Sequence, residues 1–366
     1  MTEARPKHRL DHIDGLRGLA AFAVLLGHWA EYVGHVTPFR PLGELLTGAF
    51  RDYFSTGRLG IVAFFCISGF VIPFSFSGPA PIGKFVISRF FRLYPAYWAS
   101  ILLAILVVPL FSGHVFGTWQ IVANLTMVQM LLRAPDILGV YWTLFIELIF
   151  YGICLLAFAG RLLHNPRFNL AMMGLFLGLA LAMGGYRWIN PQSDLPVGLP
   201  TYLAAMHFGT IARICILERD AFACRMFWPS ALLLAGVTTT ANTLAYLHAQ
   251  NELVGWVAAN TGYLAGLALF LLCALRRWFG GALFAWFGLI SYSLYLFHPI
   301  FLHIFVGLWP TMPWTVSLAV LTPMLFLGSI GTAALVQKYI EAPAVALGRA
   351  FDQRYRDWTA RRTQSA

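Results

Sequence analysis

Charge is scarce in this chain. Only 11% of its 366 residues are Asp, Glu, Lys or Arg, against 59% hydrophobic, and the mean hydropathy is +0.71. That balance excludes an ordinary soluble domain and fits a helical protein that crosses the membrane many times. Cysteine is sparse too. Cys66, Cys154, Cys215, Cys224 and Cys273 are odd in number and scattered, with no CxxC and no Cys/His ligand spacing, so neither a disulfide framework nor a metal site follows from them. Also missing is a basic stripe interleaved with stacking aromatics. The formal charge of +10 is therefore read as membrane topology, and nucleic acid is not expected as a partner. No small-residue cleavage site follows the first apolar run, which marks it as a retained helix and not a signal peptide. No internal repeat, linker or second domain is visible.

What the chain does have is apolar runs near 20 residues, long enough to span the hydrocarbon core as helices. Ten spans are expected, near 13–33, 57–77, 95–112, 140–159, 168–186, 198–217, 228–247, 254–275, 283–306 and 314–338. Residues 34–56 read as a loop, and the short apolar stretch 118–132 as an interfacial or re-entrant segment. With the N-terminus inside, about 20 of the 25 basic residues fall on cytoplasmic segments. These include Arg5, Lys7 and Arg9, then Lys84, Arg89 and Arg92, then Arg161, Arg167, Arg213, Arg219, Arg225, Arg276 and Arg277. The expected fold is an all-α polytopic membrane protein with both termini cytoplasmic. Residues 1–12 form an N-terminal tail, 13–338 the transmembrane domain, and 339–366 a basic, helical tail at the membrane surface.

Ionisable groups inside such spans are costly to bury and mark function by default. Arg17 and His28 share the first span, eleven residues apart, which is roughly 16 Å along a helix axis. A snorkelling anchor is the plain alternative for Arg17, and a satisfied helix–helix hydrogen bond for His28. Topology places His28, Glu147 and His298 at similar depth in the outer half, so Glu147 is expected to pair with a histidine. On the inner side, Arg89 and Arg92 occupy one helical face just before the third span. With Arg17 and Lys84 they would make a phosphate-binding surface, or else an ordinary headgroup anchor. Glu341 lies at that same face and reads as an ion-pair partner for one of the arginines.

Six motifs in order carry a resemblance over nearly the whole chain. They are Asp14-Gly15-Leu16-Arg17 with His28; Phe64-Phe65-Cys66-Ile67-Ser68-Gly69-Phe70; and Arg89-x-x-Arg92-Leu93-x-Pro95. Then come Tyr141-Trp142-Thr143-Leu144-x-x-Glu147 with Phe150-Tyr151, Ser291-Tyr292-Ser293-Leu294-Tyr295-Leu296-x-His298, and Glu341-x-Pro343. The set resembles the membrane-bound acyltransferase 3 family of bacterial O-acyltransferases that modify polysaccharides and lipopolysaccharide. Thr143 stands where the family usually has serine.

The resemblance implies transfer of an acyl group, acetyl being the commonest, from cytoplasmic acyl-CoA to a hydroxyl of a glycan or lipid-linked saccharide outside, in the bacterial inner membrane. It implies His28 and Glu147 as catalytic groups and Arg17, Arg89 and Arg92, with Lys84, as the binders of acyl-CoA. Asp14, Ser68, Trp142, Tyr151, Ser293, His298 and Glu341 remain as substrate or support residues. No tightly bound cofactor is expected. On this reading His28 takes the acceptor proton, Glu147 orients it and stabilises the imidazolium, and the donor's pantetheine arm threads between the arginines and His28. Ser68 and Ser293 are residual candidates for a nucleophile or oxyanion donor, Ser68-Gly69 otherwise reading as a small-residue helix contact. The rival class is a transporter or channel, whose pathway would use the same intramembrane charges. Aromatics in the outer loops, such as Tyr53, Phe54 and Trp119, would stack on sugars or belong to the interfacial belt.

Overall fold

The computed structural model describes residues 10–78, 80–248 and 255–364. The basic residues Arg5, Lys7 and Arg9 of the expected N-terminal tail lie outside the described residues. Helices account for the architecture: α1 (Asp11–Val36), α2 (Arg40–Thr47), α3 (Thr56–Val71), α4 (Pro81–Ser112), α5 (Thr118–Leu125), α6 (Trp142–Ala159) and α7 (Pro166–Ile189). After these come α8 (Gly198–Ile216), α9 (Ala221–Tyr246), α10 (Trp256–Arg276), α11 (Ala282–Leu308), α12 (Trp314–Val336) and α13 (Ala342–Gln364). Eight stretches among the described residues are long and apolar enough to cross a membrane. The chain is an all-α, multi-pass membrane protein. Each of the ten expected spans has a helix. α1 and α8 are not among the eight stretches, being less apolar: α1 carries Asp11, Asp14, Arg17 and Glu31, and α8 carries Thr201, His207, Thr210 and Arg213.

Contacts between helices fix their relative directions. α1 and α11 run parallel, with Asp14 against Gly288, His28 against His298 and Tyr32 against Phe305. α4 runs the same way, its Leu93 carbonyl accepting from Tyr292 and its Phe111 lying against Gly307. α3 runs the other way, Thr56 meeting Gly27 and Gly60 meeting Ala20 of α1. α8 and α10 follow α3, with Tyr202 and Arg213 on Phe65 and Phe70, and Gly262 and Gly266 on Ser55 and Leu59. The close crossings depend on small residues. A Cβ on Gly69 would land on the Met206 carbonyl, and one on Gly209 on that of Cys66. Where lipid is the competing solvent, such backbone approach is what gives two helices a reason to associate.

Several boundaries differ from expectation. Residues 34–56 are not merely a loop, since α2 and a π turn at Gly48–Asp52 occupy much of it. α4 begins at Pro81, well before residue 95, and continues through Pro95 and Pro109, so Arg89 and Arg92 belong to the third long helix itself. At the far end, α12 passes through a π turn at Gln337–Glu341 into α13, which lies along α4 with Phe351 against Phe91.

The stretch 118–132 does turn inward. Tyr97 donates to the Asn124 carbonyl at 2.7 Å and Tyr94 to that of Thr126 at 3.0 Å. Tyr97 lies fifteen residues before the end of α4 at Ser112, roughly 22 Å along its axis. Irregular backbone at that depth needs partners of its own. Fully buried Asn124 supplies them, donating to the Gln120 and Pro135 carbonyls and accepting from the Ile137 amide. α6 therefore starts well below the end of α4, with Tyr141 hydroxyl 2.8 Å from Ser100 Oγ.

Candidate functional site

A cavity of about 340 Å³ lies between α1, α3, α4, α6 and α11. Arg17, Arg89 and Arg92 line it together with Asp14, Ser68, Glu147 and Tyr151, while Phe64, Thr143, Tyr292 and Tyr295 complete its walls. Seven of the residues singled out from sequence thus meet in one space, contributed by four helices.

The arginines are held differently. Arg17 Nη1 stands 3.4 Å from Asp14 Oδ1, a long pair one helical turn away. Arg92 is anchored behind the cavity, its Nη1 2.7 Å from Oε1 of Glu341, whose side chain is 2% exposed. Ser293 Oγ donates to the other carboxylate oxygen at 2.9 Å. The ion pair read from sequence between Glu341 and an arginine is this one, and Ser293 serves it. Among the described residues Arg89 has no carboxylate within ion-pair distance. Its Nη2 donates to Ser75 Oγ at 2.6 Å, its guanidinium lies over the rings of Phe85 and Tyr151, and its Nε is buried with no partner. A buried donor left unpaired is costly, and a guanidinium left without a counter-charge is suited to an incoming anion. Lys84 stands apart, donating to Ser77 Oγ and its carbonyl.

Glu147 corrects the expected depth. It lines the arginine cavity and accepts from Tyr151 hydroxyl at 2.7 Å; it makes no bond to His28. The sequence reading started the fourth span at the outer surface, whereas the re-entrant segment has already carried the chain inward before α6 begins. His28 has other neighbours. Its ring lies 5.5 Å from that of fully buried His298, with 19° between the planes, and its Nδ1 is 4.0 Å from Glu31 Oε2. The His28 side chain is 38% exposed, so one side of the ring is open.

Tyr295 connects the cavity, whose wall it shares with Phe64, to the histidines. Phe64 and Tyr295 meet edge to face at 5.6 Å, and Tyr295 stands 6.0 Å from His298. Tyr295 is itself held by Thr143, 3.0 Å between the hydroxyls. Trp142 faces Tyr202 instead of the cavity. Sequence reasoning passed over Glu31, Phe64, Thr143, Tyr292 and Tyr295 as site residues. Each of the last four sits inside a quoted motif, so only their inward orientation was missing.

The fold and cavity define a polytopic helical membrane protein with an arginine-lined cavity near a histidine pair. The acyltransferase domain family matches residues 10–336, and the chain belongs to it. Among curated proteins it is similar to Nodulation protein 10 of Rhizobium leguminosarum bv. viciae, 26% identical over 93% of this chain and 94% of that protein. It is also similar to Exopolysaccharide production protein ExoZ of Rhizobium meliloti (strain 1021), 29% identical over 43% of this chain and 46% of the relative. No solved structure matches the chain at a significant level.

Proposed function

We propose that this membrane acyltransferase moves an acyl group, acetyl in the first instance, from acyl-CoA to a hydroxyl of a saccharide. The observation that carries the donor assignment is Arg89, a half-buried guanidinium whose buried Nε has no partner and which has no carboxylate within ion-pair distance among the described residues, in a cavity wall shared with Arg17 and Arg92. The phosphates of CoA suit that guanidinium, because planar N–H forks pair with phosphate oxygens. The same end of the bundle carries Arg161, Arg167, Arg276 and Arg277, consistent with a cytoplasmic face and a donor drawn from the cytoplasm. The name of ExoZ, which refers to exopolysaccharide production, favours a glycan acceptor, and the Rhizobium relatives favour a bacterial inner membrane.

A thioester is already activated, so the protein's task is to deprotonate the acceptor and stabilise the oxyanion. His28 takes the hydroxyl proton, the oxygen forms a bond to the thioester carbonyl carbon, and collapse of the tetrahedral intermediate breaks the C–S bond. The departing thiolate takes the proton back from His28. For the thioester to reach His28 from the arginines, its arm must pass the Phe64–Tyr295 pair. Glu147 belongs to the donor chamber in this scheme, holding Tyr151 against the Arg89 guanidinium.

The test uses purified protein in lipid nanodiscs, with labelled acetyl-CoA and glycan extracted from the source strain. Release of free CoA coupled to acylated glycan is expected. Arg89→Ala should raise KM for acetyl-CoA about tenfold or more, the loss of about 1.4 kcal/mol or more expected for a charge-assisted hydrogen bond, with kcat little changed. Transport of a solute with no CoA release from the wild-type protein would refute the reading.

A further inference from the structure

His298 is not accounted for by the donor chamber. It is fully buried, and its Nδ1 lies 3.1 Å from the Leu294 carbonyl of its own helix. A carbonyl only accepts, so Nδ1 carries the proton and Nε2 presents a lone pair. That Nε2 is buried with no hydrogen-bond partner among the described residues. An acceptor without a donor, wholly removed from solvent, is uncommon in a folded protein and asks for an N–H or O–H from outside its own helix.

His28 is the neighbour able to supply it. The rings are 5.5 Å apart between centres and nearly parallel at 19°. Two imidazoles joined edge to edge by an N–H···N bond have centres about 5 Å apart, since each nitrogen lies roughly 1.1 Å from its ring centre and the bond adds about 3 Å. The structure holds the two rings stacked, with no bond between them, at centres within a few tenths of an ångström of that spacing, so that rotation of the His28 ring brings its edge to the His298 Nε2. His28 Nδ1 is on the side of Glu31, 4.0 Å from Oε2, which leaves Nε2 as the nitrogen available to His298.

Resting on the acyl-transfer reading above, we infer that His298 is the positioning residue of His28: its Nε2 lone pair accepts the His28 Nε2–H during transfer and so fixes the tautomer in which Nδ1 is the base. The acceptor hydroxyl then delivers its proton to Nδ1, beside Glu31, whose carboxylate stabilises the imidazolium. His298 keeps its single proton throughout, and the transferred proton returns from His28 Nδ1 to the thiolate. In this arrangement His298 and Glu31 perform the task that sequence reasoning gave to Glu147, because they adjoin His28 and Glu147 does not. An orienting group that holds one ring nitrogen determines which of the two is free to act.

The experiment compares His298→Gln, His298→Asn and His298→Leu with wild type, each in membranes of a deletion strain that retains the endogenous acceptor, supplied with labelled acetyl-CoA. Gln places an amide oxygen near the position of Nε2, Asn places its amide near Nδ1, and Leu offers no acceptor. Expected is a kcat for His298→Gln about tenfold or more above both other variants, with KM for acetyl-CoA within about twofold of wild type for all. Where His298→Leu does not fold by size-exclusion chromatography in detergent, the Gln–Asn comparison decides. Folded His298→Gln no more active than the others overturns the inference, as does a His298→Gln that fails to fold, since the ring is then needed for packing. Absence of labelled product from wild-type membranes refutes the acyl-transfer reading itself and is distinct from either result.

Discussion

Gly18 is the position where a single methyl group tests the geometry of both halves of the site. It follows Arg17 directly and sits on α1 where that helix crosses α11. A Cβ placed there would stand 2.6 Å from the Phe287 backbone carbonyl carbon and 2.7 Å from the Gly288 nitrogen. Ordinary carbon contacts lie at about 3.5 Å or more, so Gly18→Ala must part the helices by about 1 Å. Backbone cannot yield as a flexible side chain does, and overpacking of this kind costs about 1–3 kcal/mol. α1 carries Arg17 and His28, and α11 carries Tyr295 and His298, so the separation is felt at the cavity and at the histidine pair together. A misplacement near 1 Å is enough to lower a rate by about 100-fold. Labelled acyl transfer and a thermal melt in detergent, with Gly178→Ala as control, measure both effects. A Cβ on Gly178 would meet nothing within 4 Å among the described residues, so its substitution should be neutral or stabilising by up to about 1 kcal/mol. Gly18→Ala with wild-type rate and melting temperature would refute the claim that this crossing sets the site.

Three further outcomes follow from the same contacts. Glu341→Gln keeps an acceptor for Ser293 but removes the charge opposite Arg92; because Arg92 is 32% exposed, the cost should be about 1–2 kcal/mol, below the roughly 3–5 of a fully buried pair, and a lowered melting temperature checks it. Lys84→Ala breaks only exposed bonds to Ser77, so KM for acetyl-CoA should stay within about twofold of wild type, in contrast to Arg89→Ala. Phe64→Ala removes the cavity-wall ring packed on Tyr295; kcat should rise where passage of the arm limits turnover, and wild-type rates with both acetyl- and propionyl-CoA would show that this ring pair controls nothing.

Much of the chain was legible in its residues, and the reason is the solvent. In a bilayer every backbone group must be satisfied within its own segment, so runs of about 20 apolar residues announce helices and basic clusters announce one face. Arg17 stood out because charge is expensive inside a span, and Arg89 and Arg92 because they share one helical face on the inner side; the structure gathers all three with Ser68, Glu147 and Tyr151 in one cavity. Glu341 was read as an arginine partner because it lies at that same inner face, and the structure pairs it with Arg92.

Depth and pairing were decided elsewhere. Counting residues along a span assumes that each span starts at the surface. The Asn124 staple violates that assumption by holding an inward-turning segment ahead of α6, and Glu147 moves to the arginines as a result. Helix rotation is equally silent in a chain that is apolar on nearly every side, because a hydrophobic stripe has no polar stripe to contrast with. So the composition of this sequence determined the helices, their approximate number and the kinds of charged group at their ends. Only the packing of α1 on α11, through the close approach at Gly18 and Gly288, decided that His28 would lie beside His298.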